Sequence, residues 1–177
     1  MGNFQKNGIL HRLAQLDDDL LSLYGMARRF EITIIGGSAL IALGLLPNER
    51  FTTDIDVLEA SHEAQDLLER YDMNHDVSTF LYKYAENWKE RRQPVENNGH
   101  VLDVFTMSNE DLAITKFLAW RKTDQRDLID MLAAGSIDLD KLKTILGDVT
   151  EVQANLEDDE WTALLARFEM LLSGELE

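Results

Sequence analysis

The sequence predicts an α+β or α/β protein, with a small mixed sheet flanked by helices and a helical C-terminal part. Three observations indicate this class. Strand-like β-branched segments occur before residue 107, every periodic pattern from Ser108 onward is helical, and no Pro/Gly/Ser-rich linker divides the 177 residues. Such an order of strands and helices is typical of α+β folds, and the length fits roughly one domain. We expect a core over 1–107, including an N-terminal helix, and a helical part over 108–177 packed on it as one compact unit.

Apolar periodicity and turn residues indicate the individual elements. Helical spacing predicts helices, β-branched runs predict strands, and Asn98-Gly99 predicts a hairpin turn. The acidic run 17–19 falls mostly on the wet face of the first helix, and Ser38 and Ser108 are predicted N-caps. The predicted elements are a helix over 8–26, a strand over 31–35, an apolar central helix over 39–45, a strand over 53–58, helices over 63–71 and 80–89, hairpin strands over 91–95 and 100–106, and helices over 109–121, 124–134, 138–146 and 158–173.

The net charge of -16 argues against some partners. With 33 acidic and 17 basic residues, the chain lacks the Lys/Arg surface needed for broad DNA binding or for adhesion to an anionic membrane. Half of this net charge lies in residues 136–177, while bases concentrate in 83–92 and 116–126. Those basic stretches are candidates for a phosphate-handling cleft. The charge therefore leaves room for a nucleotide, or for one RNA end, at a small cationic site.

Cysteine content and hydropathy indicate the compartment. The chain has no Cys, which excludes a disulfide framework and a thiolate zinc site. Its most apolar stretch, 32–46, is interrupted by a glycine pair and is shorter than the ~20 residues that cross a membrane. We expect a cytoplasmic protein without a membrane partner.

The first candidate motif is the strand-to-helix turn Gly36-Gly37-Ser38. Two glycines let the backbone approach a ligand closely. The first N–H groups of the following helix face outward, with the positive end of the helix dipole behind them. This arrangement suits phosphate, although Gly-Gly turns are also common as plain structural turns. The turn matches neither G-x-G-x-x-G nor the P-loop pattern, so the Rossmann and P-loop interpretations have no support.

Two further motifs supply carboxylates. In the predicted strand over 53–58, Asp54 and Asp56 are two residues apart and share a face, and neighbouring carboxylates call for a compensating divalent cation. Asp103 is flanked by apolar residues, as in a strand buried on both faces. Beside the first pair it would complete a three-carboxylate metal site and accept a proton from an attacking hydroxyl. The alternatives are an exposed edge strand for the pair and a hydrogen-bonded structural role for Asp103.

Together these motifs resemble the polymerase-β-like nucleotidyltransferase superfamily. Within it, residues 36–40, 50–57 and 112–130 are similar to the AbiEii-like branch, which includes toxins of toxin–antitoxin and phage-defence systems. The resemblance implies a minimal nucleotidyltransferase fold and a metal site of Asp54, Asp56 and Asp103. It also implies phosphate binding by the turn from Gly36 through Gly37 to Ser38.

The resemblance extends to a Lys-bearing helix and a following Arg-Asp helix. By this similarity Lys116 would touch the nucleotide phosphates, and Asp127 would orient it or support the site. Asp130 is a weaker candidate for the same role, and Arg50 would offset further phosphate charge. Without the resemblance, a mid-helix Lys would be read as solvent-exposed.

Three functions are compatible with these residues. The first is a nucleotidyltransferase that uses Mg²⁺ or Mn²⁺ to move a nucleoside monophosphate from an NTP to a hydroxyl of RNA such as tRNA, a protein or a small molecule. The second is a non-catalytic nucleotide- or partner-binding module, with a cognate toxin or antitoxin as its partner. The third, a metal-dependent hydrolase or nuclease, leaves the glycine turn and Lys116 unexplained.

Overall fold

A computed structural model describes residues 4–76, 85–148 and 150–175. The described residues group into two compact units. Residues 4–76 and 92–107 form the sheet unit, and residues 85–91, 108–148 and 150–175 form the helical unit. No helix in these ranges is long and apolar enough to cross a membrane.

The sheet unit contains a mixed sheet in the order β3-β2-β1-β5-β4. β1 runs parallel to β5 and antiparallel to β2, so the central strand joins both kinds of pairing. β3 adds parallel to β2, and β4 adds antiparallel to β5. The elements are α1 (Lys6–Tyr24), β1 (Phe30–Ile35), α2 (Gly36–Leu43), β2 (Ile55–Ala60), α3 (His62–Leu68), β3 (Met73–Asn74), β4 (Gln93–Pro94) and β5 (Leu102–Thr106).

The core of this unit is centred on the buried strands β1 and β5. Phe30, Ile32 and Ile34 of β1 are at most 1% exposed, and in the parallel register they stand beside Leu102 and Val104 of β5. α1 contacts α2 and α3, and each of these three helices contacts at least one strand. Burial of each such side chain contributes about 1.5–3 kcal/mol, which is the main stabilisation of the sheet unit.

The helical unit is built from α4 (Asn109–Ala119), α5 (Lys122–Ala133), α6 (Leu139–Gly147) and α7 (Asp158–Ser173). Ser108 caps α4, because its side chain accepts a hydrogen bond from the Asp111 N–H. Phe117 is fully buried and meets the ring of Phe168 edge-on, with centroids 5.8 Å apart. Segment 85–91 belongs to this unit, in which Arg91 pairs with Asp111.

The predicted fold class is confirmed, and most predicted elements occur within a few residues of their expected bounds. Ser38 is not an N-cap, because α2 begins two residues earlier at Gly36. Of the predicted helix over 80–89, residues 80–84 lie outside the described residues, and Trp88–Arg91 forms a 3-10 turn. That the helical part packs on the core stays a prediction.

Candidate functional site

The turn from β1 into α2 brings a carboxylate against the backbone. Gly36 has a φ of +66°, and a Cβ built on it would lie 2.9 Å from Oδ2 of Asp56. The positive φ would strain any side chain at this position, and a Cβ would also push the carboxylate aside, so glycine suits both the backbone and the contact. The antiparallel register explains the proximity, because Asp56 pairs with Ile35, the residue before Gly36. The Asp56 carboxylate therefore lies at the N-terminal end of α2.

Ser38 fixes the backbone of this arrangement. Its hydroxyl donates to the carbonyl oxygen of Ile35 at 2.8 Å and accepts from the N–H of Asp56 at 3.3 Å. The residue is 1% exposed, so these two contacts occupy a buried hydroxyl. Ser38 thus connects the end of β1 to the start of β2 and holds Asp56 beside the turn.

Asp54 lies one residue before β2 rather than inside it, so the argument that i and i+2 share a strand face does not place it. Thr52 connects Asp54 to the glycine turn. Its Oγ1 donates to the Asp54 carbonyl oxygen at 3.0 Å, lies 3.5 Å from Asp54 Oδ1, and would lie 4.0 Å from a Cβ on Gly37. The backbone of Thr52 is in turn bridged to Phe4 by two hydrogen bonds of 2.7 and 2.9 Å. We call Gly36, Gly37, Asp54 and Asp56 the aspartate turn.

The donor set of the aspartate turn fits a divalent cation. Two carboxylates supply hard oxygen ligands, and Mg²⁺ in proteins is commonly held by one or two carboxylates together with substrate phosphates. The first N–H groups of α2 have no partner within the helix and favour an anion. The aspartate turn therefore has carboxylates suited to a cation and N–H groups suited to a phosphate.

Asp103 is not brought to this turn. Asp103 pairs with Glu31, whereas Asp56 pairs with Ile35. Their partners on β1 are four residues apart, which is roughly 13 Å along the strand. Its carboxylate is bound by the guanidinium of Arg29, whose Nε donates to Oδ2 at 3.1 Å. The Asp103 side chain is 38% exposed, so it is not the buried carboxylate that its apolar neighbours suggested. Among the described residues, no group of three His, Cys, Asp or Glu side chains is arranged to hold a metal.

Lys116 lies in the helical unit within a buried ion cluster. Its Nζ donates to Asp124 Oδ1 at 3.0 Å and to Asp127 Oδ2 at 2.8 Å, and its side chain is only 6% exposed. Burial alone would raise the pKa of Asp124, but hydrogen bonding from Arg121 and the charge of Lys116 hold that pKa below its ordinary value. Lys116 therefore shares its positive charge between two buried carboxylates, and Arg121 supplies a second positive group to Asp124. Lys116 is not the solvent-exposed lysine expected of a mid-helix position.

The chain is similar to a family of proteins and to a solved structure. The model of a family described as "nucleotidyltransferase of unknown function", DUF6036, matches residues 11–172. The chain belongs to the DUF6036 family. A solved structure, an antigenic nucleotidyltransferase-like protein from Paracoccidioides brasiliensis, is similar at 19% identity over 93% of this chain and 95% of that chain, with a TM-score of 0.49. No curated protein sequence matches the chain.

In this DUF6036 chain, sequence reasoning identified some partners and missed others. Lys116 and Asp127 do meet, but Asp124 was missed, although its place in the first turn of α5 was a signal for a helix-capping carboxylate. Thr52 was also missed, because its contact with Asp54 depends on a loop without a periodic pattern. The N–H of Arg50 donates to Pro47 within the same loop, and the phosphate role of Arg50 stays a prediction, as does the role of Asp130.

Proposed function

We propose that this chain transfers a nucleoside monophosphate from a nucleoside triphosphate to an acceptor hydroxyl at the aspartate turn. Membership of a nucleotidyltransferase family supports the reaction class. The single observation that carries the site is the close approach at Gly36, where the missing Cβ lets the Asp56 carboxylate lie at the start of α2. The position of the Asp56 carboxylate beside the first N–H groups of α2 supports a site for a cation together with a phosphate.

In this reaction the start of α2, the two aspartates and Ser38 would have different roles. The N–H groups at the start of α2 would bind phosphate oxygens, and the helix dipole adds to this attraction. Asp54 and Asp56 would hold Mg²⁺ or Mn²⁺, which when bound neutralises charge on the phosphates and on the attacking and leaving oxygens. Ser38 keeps the backbone of Asp56 in place through its two hydrogen bonds. The acceptor oxygen attacks the α-phosphorus, and pyrophosphate leaves.

The test is transfer of label from each α-labelled NTP in the presence of Mg²⁺ or Mn²⁺ and a cell extract. We expect Asp54→Asn and Asp56→Asn each to lower transfer by at least about 100-fold, since electrostatic stabilisation of the reacting groups is lost. Asp66→Asn is the matched control, because Asp66 is exposed on α3 outside the aspartate turn. Transfer that is unchanged in Asp56→Asn would contradict the proposal.

A second candidate is a nucleotide-binding module without catalysis. It is favoured by the internal pairing of two groups expected to act on substrate, since Asp103 is bound by Arg29 and Lys116 by two buried aspartates. Calorimetry with Mg²⁺-ATP separates the two candidates. Binding that depends on Asp56, without transfer to any acceptor, would support the module and contradict the enzyme.

The biological role follows from the resemblance rather than from the contacts above. Similarity to the AbiEii-like branch leads us to propose a component of a toxin–antitoxin or phage-defence system that acts in the cytoplasm. Its acceptor would be a tRNA, a protein or a small molecule, and a cognate toxin or antitoxin would be its partner. Co-expression with the adjacent gene, followed by measurement of growth inhibition and its relief, tests this role.

A further inference from the structure

A cavity of about 410 Å³ opens beside β1 and β2 in the sheet unit. This volume lies in the range of small-molecule sites. Leu58, which lines the cavity, is two residues beyond Asp56 on β2, about 6.6 Å along the strand. The cavity is therefore a neighbour of the aspartate turn. Other side chains that line it are Thr33, Glu59, Gln65, His75 and Arg92.

His75 is placed next to the reacting region by β3. Asn74 of β3 pairs with Asp56, and His75 is the following residue. Its Nδ1 lies 3.0 Å from the carbonyl oxygen of Val57. A carbonyl oxygen only accepts, so Nδ1 carries the hydrogen, and in the neutral ring Nε2 keeps its lone pair. Within the described residues Nε2 has no hydrogen-bond partner, so it is the atom that can receive a proton from a bound molecule.

The charges around the cavity indicate which acceptors fit. Among the described residues that line it, Arg92 is the one cation, and its guanidinium is already paired with Glu31 at 2.8 Å and stacked 4.0 Å from the ring centre of Phe105. Glu31 and Glu59 contribute two carboxylates, so the lining carries more negative than positive charge. Because this cation is already paired, a phosphate-rich chain such as an RNA end would find no unpaired cation among these described lining residues, whereas a neutral or cationic molecule needs none.

We infer that this cavity binds the acceptor, a small polar alcohol without negative charge, and that His75 is its general base. The inference rests on the proposed function and specifies its substrate class. In the step, the acceptor oxygen forms a bond to the α-phosphorus of the NTP, and the bond from that phosphorus to the bridging oxygen of pyrophosphate breaks. The hydroxyl proton moves to Nε2 of His75, and pyrophosphate carries away the bonding pair.

The first experiment separates the two ring nitrogens. His75→Asn keeps an N–H donor in the position of Nδ1, facing Val57, and removes Nε2, whereas His75→Gln places an amide near the position of Nε2 that does not act as a base. We expect both to lower the transfer rate by about 100-fold or more while Mg²⁺-ATP affinity, measured by calorimetry, changes less than about twofold. His62→Asn is the control, because His62 is exposed on α3 and does not line the cavity.

A second variant fills the cavity without touching its base. Gln65 is exposed on α3 and lines the cavity, so Gln65→Trp would obstruct acceptor entry with little risk to folding. Asp66→Trp puts the same ring on the next residue, which does not line the cavity. We expect Gln65→Trp to raise the KM for acceptor at least about tenfold and Asp66→Trp to leave it unchanged. Equal behaviour of the two variants would overturn the assignment of the cavity.

The acceptor class is tested with α-labelled ATP, GTP, CTP and UTP in turn. The acceptors are the filtered small-molecule fraction of a cell extract, its RNA and its proteins, each offered separately. We expect label in the small-molecule fraction, lost in His75→Asn. Label on RNA or protein, or transfer that His75→Asn leaves intact, would overturn this inference while the proposed function stands. Absence of transfer to every fraction would overturn the proposed transferase and this inference together.

Discussion

Gly36 is constrained twice, by its own backbone and by its neighbour. Its φ of +66° is costly for any L side chain, and the space where a Cβ would lie is 2.9 Å from the Asp56 carboxylate. Gly135 has nearly the same φ, +64°, yet a Cβ there would meet nothing within 4 Å. Comparing substitutions at Gly36 and Gly135 therefore distinguishes the cost of the positive φ from the effect of displacing the carboxylate.

We expect Gly36→Ala and Gly135→Ala to lose similar stability, about 1–2 kcal/mol, from the positive φ. Only Gly36→Ala should also weaken Mg²⁺-ATP binding, by about tenfold or more, because the methyl group moves Asp56. Urea unfolding gives the first quantity and calorimetry the second. Equal nucleotide affinity in both variants would show that the carboxylate has room to move.

Lys116 provides a second residue-scale test. Lys116→Met removes a buried positive charge from between two buried carboxylates, which we expect to cost about 3–5 kcal/mol in urea unfolding. Lys141→Met, at an exposed side chain 3.6 Å from Glu110, should cost under about 1 kcal/mol. If Lys116→Met kept full stability but lost nucleotide binding, the phosphate contact implied by the resemblance would be favoured instead.

At the scale of elements, α1 holds the chain just before β5 through one buried carboxylate. Asp17 is 2% exposed and accepts from the N–H groups of His100, Val101 and Leu102 at 2.8, 2.8 and 2.7 Å. A side chain of α1 thus holds the backbone at the start of β5, more than 80 residues later in the sequence. The acidic run in which Asp17 lies suggested a mostly solvated face, so this buried role was missed.

The consequence is a large difference between two adjacent aspartates. Asp17→Asn replaces one acceptor oxygen by a donor that faces backbone donors, and we expect a loss of about 2–4 kcal/mol. Asp18→Asn, on the exposed neighbour, should change stability by less than about 0.5 kcal/mol. Thermal or urea unfolding of the two variants measures both values, and similar losses would contradict the assigned contacts.

The start of α5 has a pH dependence that can be measured. The pKa of Asp124 lies below its ordinary 3.8, because Arg121 and Lys116 outweigh the opposing effect of burial. Its contribution to stability is therefore complete above that ordinary value and is lost as the pH falls through the lower folded-state pKa. We expect the stability of the wild type to fall more steeply below pH 3.8 than that of Asp124→Asn, as followed by urea unfolding across this range.

Elements and contacts differ in how well the sequence predicts them. Helices and strands follow from local periodicity, so α1, β1 and the C-terminal helices were predicted nearly as they occur. Asp103 was expected beside Asp56 because both follow a strand pattern, but their separation depends on the register of β1 with β2 and β5. Register is set by packing between distant segments and has no local signal. The same holds for Lys116, whose burial depends on how α4 meets α5.

At the scale of the whole molecule, the net charge of -16 opposes the compact state through self-repulsion. Several of the described bases form ion pairs, among them Arg29 with Asp103, Arg91 with Asp111 and Arg92 with Glu31. In the two stretches that suggested a phosphate-handling cleft, Arg91, Arg92 and Lys116 have carboxylate partners within the chain.

This charge predicts an unusual response to salt. Raising NaCl from about 0.05 to about 0.5 M shortens the screening length severalfold and weakens the repulsion among the excess carboxylates. Buried pairs such as Lys116 with Asp124 are screened much less. We expect the melting temperature to rise with NaCl, and a fall would mean that exposed ion pairs outweigh the net repulsion.

The hydroxyl of Ser38 has a consequence for how the molecule forms. It joins the end of β1 to the start of β2, and the aspartate turn lies entirely between residues 36 and 56. Closing a loop of this length costs less conformational entropy than bringing in β5, which follows about 45 residues later, by under about 1 kcal/mol. The geometry of the aspartate turn therefore depends on contacts between residues about 20 positions apart in the sequence. We expect these contacts to form before the parallel pairing of β1 with β5 as the chain folds.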